Sequence, residues 1–511
     1  LSIKNLAGQT IFYGLSNIVS KLLNYFLTPF YLGILTAVSY GEMNTAYAYI
    51  PFANIVLTYG METAFFRFAK KGRENLVLST SMLSLIFSTI GATLLLFLLQ
   101  GPILKTHSAE MAGVAGHPAF YVYIVLIMAF DALTAIPYAQ LRLENRPLKY
   151  AFIRISNIVT NVFFNFLFFY ICPKLYNAGH HWLPDVMGGG ATLGYVYLSN
   201  LLASGLTLLM FLPQIKGIKW QFDKSLWKEM ITYSLPLIVV GMAGMVNETF
   251  DRAWFLPTFL PVDSEEKKKY LIGIYSANYK LSILINMFIQ AFKLGAEPFF
   301  FKQAESESNP QKTYARIMKI FVVLLCCMFL FVSLYLNIWK FFLRKPEYYA
   351  GMTIVPLLLM GYMFLGVYYN LTIWFKLTNN TRAGAVITLI SAGMAILLNW
   401  WWIPIMGYFG AALATMVCYL AQMVICYVWG QKHYPVPYHL PKILTYMASA
   451  IGLYYIYNWI NVTFLTPNDI YAVKGSSLAV ATLFFLAYLA FIFRMEKREF
   501  ARLPVIGKYI R

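Results

Sequence analysis

A lysine at position 21 stands in the middle of an apolar stretch, with Asn17, Asn24 and Thr28 around it at spacings of four, three and four. In a helix that spacing puts all four residues on one face. An ionisable group at membrane depth is costly unless it faces other polar groups or water, which is why such residues mark substrate and ion paths. A second cluster, Asn247, Glu248, Asp251 and Arg252, lies in another apolar stretch, and Lys280 and Asn286 lie in a third. Lys21, Arg252 and Lys280 are cations of the kind that attracts a phosphate or pyrophosphate group. Asn17, Asn24 and Asn286 offer amides to hydroxyl-rich ligands, and Glu248 and Asp251 are acids able to respond to protons or sodium. Each has a plainer reading: a snorkelling lysine at 21 paired with an acid, and an i,i+4 Glu248–Arg252 pair that neutralises itself.

Other polar positions read more simply. Arg154, Asn157, Asn161 and Asn165 share one helix face; interhelical hydrogen bonding accounts for the asparagines, and snorkelling for Arg154, one turn from its helix end. Glu62 and Glu297 close their apolar stretches beside Arg67 and Lys302 and read as gate or packing elements. Known enzyme signatures are missing: there is no Gly-x-x-x-x-Gly-Lys-Ser/Thr loop for nucleotide phosphates. His180 and His181 are adjacent, which is not metal-ligand spacing. The five cysteines fall in or at the end of apolar stretches and read as small core residues. No loop is long enough for the catalytic acids of a membrane glycosyltransferase or ligase. The expectation is a protein that is not an enzyme and holds no metal or cofactor, apart from a coupling ion, Na+ or H+.

The elements that position these groups follow from composition. The 511 residues are 59% hydrophobic and 12% charged, half the charge of an ordinary soluble domain. The apolar residues fall in about fourteen blocks: 10–35, 40–62, 76–100, 118–141, 150–172, 190–212, 229–257, 271–298, 313–339, 349–376, 382–404, 407–430, 440–461 and 471–494. Each is long enough to cross a bilayer. Pro29, Pro51, Pro137, Pro236 and Pro356 lie inside them, where neighbouring helices must satisfy the freed backbone groups. The net charge of +19 is explained by placement rather than by nucleic acid, for which no partner role is expected. With the N-terminus inside, Arg67, Lys70, Lys71 and Arg73, then Arg142, Arg146 and Lys149, then Lys216, Lys219, Lys224 and Lys228, and the tail from Arg494, all fall on the inner side. Both termini are then cytoplasmic, and the first helix is too long for a signal peptide.

The chain reads as one unit duplicated head to tail. Gly60-Met61-Glu62 before Arg67 echoes Gly295-Ala296-Glu297 before Lys302; Gly41 precedes Tyr47 as Gly273 precedes Tyr279; Asn145 and Asn165 are spaced as Asn379 and Asn399 are. The expectation is an all-α polytopic membrane protein with a lobe at 1–222, a second at 223–432, and two further helices and a basic tail at 433–511. Six helices per half relate the lobes by an axis along the membrane normal.

With Asn5-Leu6-Ala7-Gly8-Gln9-Thr10 opening the first helix, Thr28-Pro29-Phe30-Tyr31 ending it, Tyr40-Gly41 entering the second and Gly60-Met61-Glu62 before the basic loop, the chain resembles the multidrug/oligosaccharidyl-lipid/polysaccharide (MOP) exporter superfamily. Within it the chain is most similar to the polysaccharide-transporter branch of Wzx-type flippases. The resemblance implies alternating-access translocation of undecaprenyl-pyrophosphate-linked oligosaccharide, a lipopolysaccharide, capsule or related repeat unit, across the bacterial inner membrane. Membrane lipids and glycan polymerase or ligase machinery are the other partners it implies. The fourteen segments exceed the twelve usual in that branch, so a lipid II flippase remains an alternative, as does a cation-coupled multidrug exporter.

Overall fold

The computed structural model describes residues 3–69, 72–181, 192–306, 309–378, 380–467 and 469–497, with the side chains of 3–17, 298, 302, 305 and 306 outside the description. The described residues form helices and no strands. The principal helices are α1 (Ile3–Ile34), α2 (Ala37–Thr58), α3 (Glu74–Leu98), α4 (Pro118–Leu143), α5 (Pro147–Phe166), α6 (Thr192–Lys216), α7 (Lys224–Phe250), α8 (Glu265–Ser306), α9 (Pro310–Ser333), α10 (Val355–Leu371), α11 (Thr381–Met406), α12 (Tyr408–His433), α13 (Leu440–Ile460) and α14 (Gly475–Met495). Each apolar block thus holds a helix. Ten helices among the described residues are long and apolar enough to cross a membrane.

Local chemistry sets the helix boundaries. Thr36 Oγ1 caps α2 by accepting from Ser39 N at 3.1 Å, and Asp223 Oδ1 caps α7 by accepting from Ser225 N and Leu226 N at 2.9 and 3.0 Å. Pro118, Pro147 and Pro310 occupy first turns, where the missing N–H costs nothing. Pro356 stands in the first turn of α10, directly after a 3-10 helix, Pro346–Ile354, within one continuous helical span, Pro346–Leu377. Pro51, Pro137 and Pro236 do lie within helices. The duplicated Gly-x-Glu motifs behave differently in the two halves. Tyr59 and Gly60 adopt left-handed backbone (φ 35° and 71°), ending α2 and starting a short helix, Met61–Phe68. Gly295 stays within α8, which runs on to Ser306.

The chain packs as two compact units. The first holds residues 1–276 and 388–414, and the second 277–387 and 415–511. In the first, α6 packs on α4 and α5, α5 on α1, and α4 on α3. Its core includes Met61, Phe65, Met82, Leu85, Ile136 and Met230. Here α2 also meets the start of α8 at glycine on both sides. A Cβ on Gly41 would stand 2.0 Å from the Lys269 carbonyl oxygen, and one on Gly273 would stand 1.9 Å from that of Ala37. The two glycines were matched by the sequence echo, and they meet reciprocally, backbone against backbone. In the second unit α9 packs on α10, α13 and α14, with Phe300, Tyr314, Ile373 and Val436 in one of its cores. The cysteines are free thiols, four of them buried.

Candidate functional site

Four helices of the first unit and the short helix Met61–Phe68 enclose a polar cavity of about 540 Å³. Asn54 and Thr58 reach it from α2, Asp131, Thr134 and Tyr138 from α4, Arg154 and Asn157 from α5, and Asn200, Ser204 and Thr207 from α6. These helices are otherwise apolar, so amphipathic packing around a wet interior explains why their polar residues converge. Ser204 Oγ donates to Asp131 Oδ1 at 2.9 Å, and Asn157 Nδ2 donates to Thr207 Oγ1 at 2.9 Å. The Arg154 guanidinium lies 5.0 Å from the Tyr138 ring centroid. Arg154 therefore lines the cavity, with its side chain exposed. Asp131 had no signal in sequence beyond being a lone acid in an apolar helix. Two acids, two arginines, amides and hydroxyls give this cavity a lining of hydrogen-bonding and charged groups.

Glu62 and Arg142 form an ion pair at the edge of the same cavity. Arg67, the expected neighbour of Glu62, instead lies 4.3 Å from the Tyr233 ring centroid. In the second unit Glu297 pairs with Lys376, in the short helix Ile373–Leu377 that follows α10, and Lys293 approaches it at 3.9 Å. The two carboxylates matched by the repeat thus take a cation from matching places, the C-terminal end of α4 in one unit and the stretch following α10 in the other. Each pair fastens elements within its own unit.

The remaining candidates are not gathered at that cavity. Lys21 and Asn24 are exposed along α1, and the Asn17 side chain lies outside the described residues. Asp251 and Arg252 are buried in the first unit, in a π-helical turn, Asp251–Phe255, that follows α7. Asp251 Oδ2 accepts from Tyr275 Oη at 2.5 Å, while its Oδ1 accepts from Arg252 N at 2.8 Å and from Arg252 Nε at 3.4 Å. Arg252 Nη2 donates to the Glu248 carbonyl oxygen at 2.5 Å, and Glu248 itself is exposed. The i,i+4 side-chain pair expected of Glu248 and Arg252 is replaced by Asp251–Arg252. The wider π turn carries Arg252 out of α-helical register with Glu248. Asn247 bridges to α11, accepting from Ser391 Oγ at 3.0 Å. In the second unit Lys280 and Asn286 are half-buried, and Asn286 Oδ1 accepts from Gln290 Nε2 at 3.4 Å. No cluster of metal-ligating side chains occurs among the described residues.

These helices, with charged pairs at repeat-related positions and a polar interior, are accompanied by a sequence match over residues 6–302 to the family described as polysaccharide biosynthesis protein. The chain belongs to that family. No curated protein sequence matches it. Among solved structures it is similar to the lipid II flippase MurJ in an inward closed conformation, with a TM-score of 0.70 at 14% identity, covering 94% of this chain and 98% of that one. It is also similar to an inward-facing multidrug resistance MATE family transporter of the MOP superfamily, with a TM-score of 0.52 at 12% identity over 84% of this chain and 94% of that one. A MATE transporter solved in complex with MaD5 gives 0.54 at 13% identity over the same shares. At these identities the likeness is one of fold. It bears out the helical membrane-transporter architecture expected from sequence.

Proposed function

We propose that this protein is a flippase that carries an undecaprenyl-pyrophosphate-linked oligosaccharide across the bacterial inner membrane by alternating access. The observation that carries the reading is the polar cavity of about 540 Å³ set among membrane-length helices, in a chain of a polysaccharide biosynthesis family. A hydroxyl-rich ligand needs amides, hydroxyls and aromatic rings, all of which line that cavity. Lys21, Arg252 and Lys280 would attract the pyrophosphate, and Asn17, Asn24 and Asn286 would take sugar hydroxyls. Ion coupling by proton or sodium falls to Glu248 and Asp251, with Glu62 and Glu297 as gate elements. Asp251 accepts hydrogen bonds on both oxygens, from Tyr275 on one and from Arg252 on the other.

Lipid extraction from a deletion strain tests the proposal. It expects a completed undecaprenyl-linked repeat unit to accumulate while one surface glycan is lost. A wide drug-sensitivity phenotype with normal glycans would favour a multidrug exporter, a reading that the MATE-like fold keeps in view. Accumulation of lipid II would move the substrate to the peptidoglycan precursor.

A further inference from the structure

Within the first unit, the segment between α3 and α4 meets the segment between α7 and α8. The contact is made by His107, in the short helix His107–Met111, and both of its ring nitrogens face acceptors. Nε2 lies 3.1 Å from the Pro257 carbonyl oxygen, and Nδ1 lies 3.7 Å from Glu265 Oε2 at the start of α8.

The sequence fixes which nitrogen keeps its hydrogen. Pro257 lies in the helical turn Leu256–Phe259, and the residue four further on, whose N–H would ordinarily bond its carbonyl, is Pro261. Proline has no N–H to give. The His107 Nε2–H fills that place, so Nδ1 of the neutral ring carries only a lone pair. That lone pair faces a carboxylate. Glu265 Oε1 accepts from Lys268 Nζ at 2.9 Å, but Oε2 is buried and has no hydrogen-bond partner among the described residues. A proton on Nδ1 gives Oε2 a donor and turns an acceptor–acceptor contact into a charge-assisted one.

Other charged groups surround the contact. Glu42 of α2 pairs with Lys269 of α8 at 3.0 Å, and Tyr49 of α2 donates to the Ala253 carbonyl oxygen. Lys105 and Glu110 belong to the same segment as His107, and Asp263, Glu266 and Lys267 stand exposed around the start of α8. Carboxylates and amines ordinarily titrate outside about pH 5–8, the range in which imidazole gains its proton. The nearest other imidazole in the chain, His117, stacks on Phe120 with ring centroids 4.5 Å apart.

We propose that His107 is a proton-operated latch: on gaining a proton it binds Glu265 and holds the segment before α4 to the turn after α7 and to α8. The joined segments fall on either side of the basic linker at 217–223. In the transport reading above they lie at the outer face, where alternating access needs them to part. Acid outside then favours the closed outer face, and a rise in pH frees it. Only this consequence for transport rests on that reading; the latch itself does not.

The test uses the full chain in lipid nanodiscs. Spin labels carried on unnatural amino acids replace the exposed Lys105 and Lys267 and leave the five cysteines untouched. Pulsed electron resonance then gives the ratio of short to long separations at pH 5.5 and 8. The ratio should be about two- to fivefold higher at pH 5.5, the range for an ion pair whose partners are 42% and 34% exposed. His107→Gln keeps an N–H for Pro257 but cannot gain the proton, so it should hold the wild-type pH 8 ratio at both pH values. Glu265→Gln should flatten the response as well, whereas His117→Gln and Glu42→Gln should keep it. A ratio independent of pH overturns the proposal, as does a response that survives His107→Gln or vanishes in His117→Gln. No substrate enters this measurement, so a mistaken substrate leaves it intact, and the lipid extraction above tests that reading separately.

Discussion

The reciprocal glycine contact makes a sharp prediction. In Gly41→Ala the new Cβ would lie 2.0 Å from the Lys269 carbonyl oxygen, and in Gly273→Ala it would lie 1.9 Å from that of Ala37. Contacts under 3.0 Å are not sustained, and both obstacles are backbone, so α2 and the start of α8 must part by about 1 Å. Overpacking of that kind costs about 1–3 kcal/mol. Once either substitution has separated the helices, the second alanine meets a gap already opened. The double variant should therefore lose clearly less than the sum of the single losses, a coupling of the size expected for residues in contact. Gly91→Ala and Gly452→Ala, where nothing lies within 4 Å of the added carbon, serve as controls and should be neutral or slightly stabilising. Reversible denaturation of the four variants and the double variant in mixed micelles measures the cycle. Additive losses, or a Gly41→Ala protein as stable as the controls, would refute the backbone-on-backbone contact.

Other outcomes follow from the charged groups. Lys21→Ala should abolish complementation of the glycan defect at normal protein levels, and full activity would remove Lys21 from the mechanism. Asp131→Asn keeps the shape of the cavity wall and the bond to Ser204, so the protein should fold normally yet transport poorly; undiminished transport would make Asp131 a packing residue. Glu62→Arg and Arg142→Glu should each impair function while changing stability by less than about 1 kcal/mol, since both groups are partly solvated, and the charge-reversed double variant should recover activity. Glu496 titrates in a sign-specific way. Burial pushes its carboxyl up, but Lys319, Tyr446 and Lys442 outweigh that and hold it below the usual 4.5. Its contribution to stability is thus fully present above 4.5 and lost as pH falls through its lowered folded value. The stability gap between wild type and Glu496→Gln should be widest near neutral pH and close in acid. A gap independent of pH would contradict this.

Hydropathy and repetition are local properties of a chain, and they carried the architecture. Runs of apolar residues in blocks of membrane length admit only helices, because backbone groups in hydrocarbon must bond within their own segment. The matched glycines at 41 and 273, and the matched acids at 62 and 297, were visible as echoes before any contact was known. What each of them touches was not visible. Arg142 is 80 residues from Glu62, and Lys376 is 79 from Glu297, and no local spacing rule reaches that far. Glu248 and Arg252 show the same limit at short range, since a π turn broke the register that α-helical counting assumes. Asp131 shows it most plainly. A solitary acid in an apolar helix has no partner in its own periodicity, and only the packing of α4 against α5 and α6 brings Ser204 and Arg154 around it. The identity of the helices is thus written in the order of the residues. The company of each buried charge depends on which helix faces meet, a choice made by side-chain packing across distant parts of the chain.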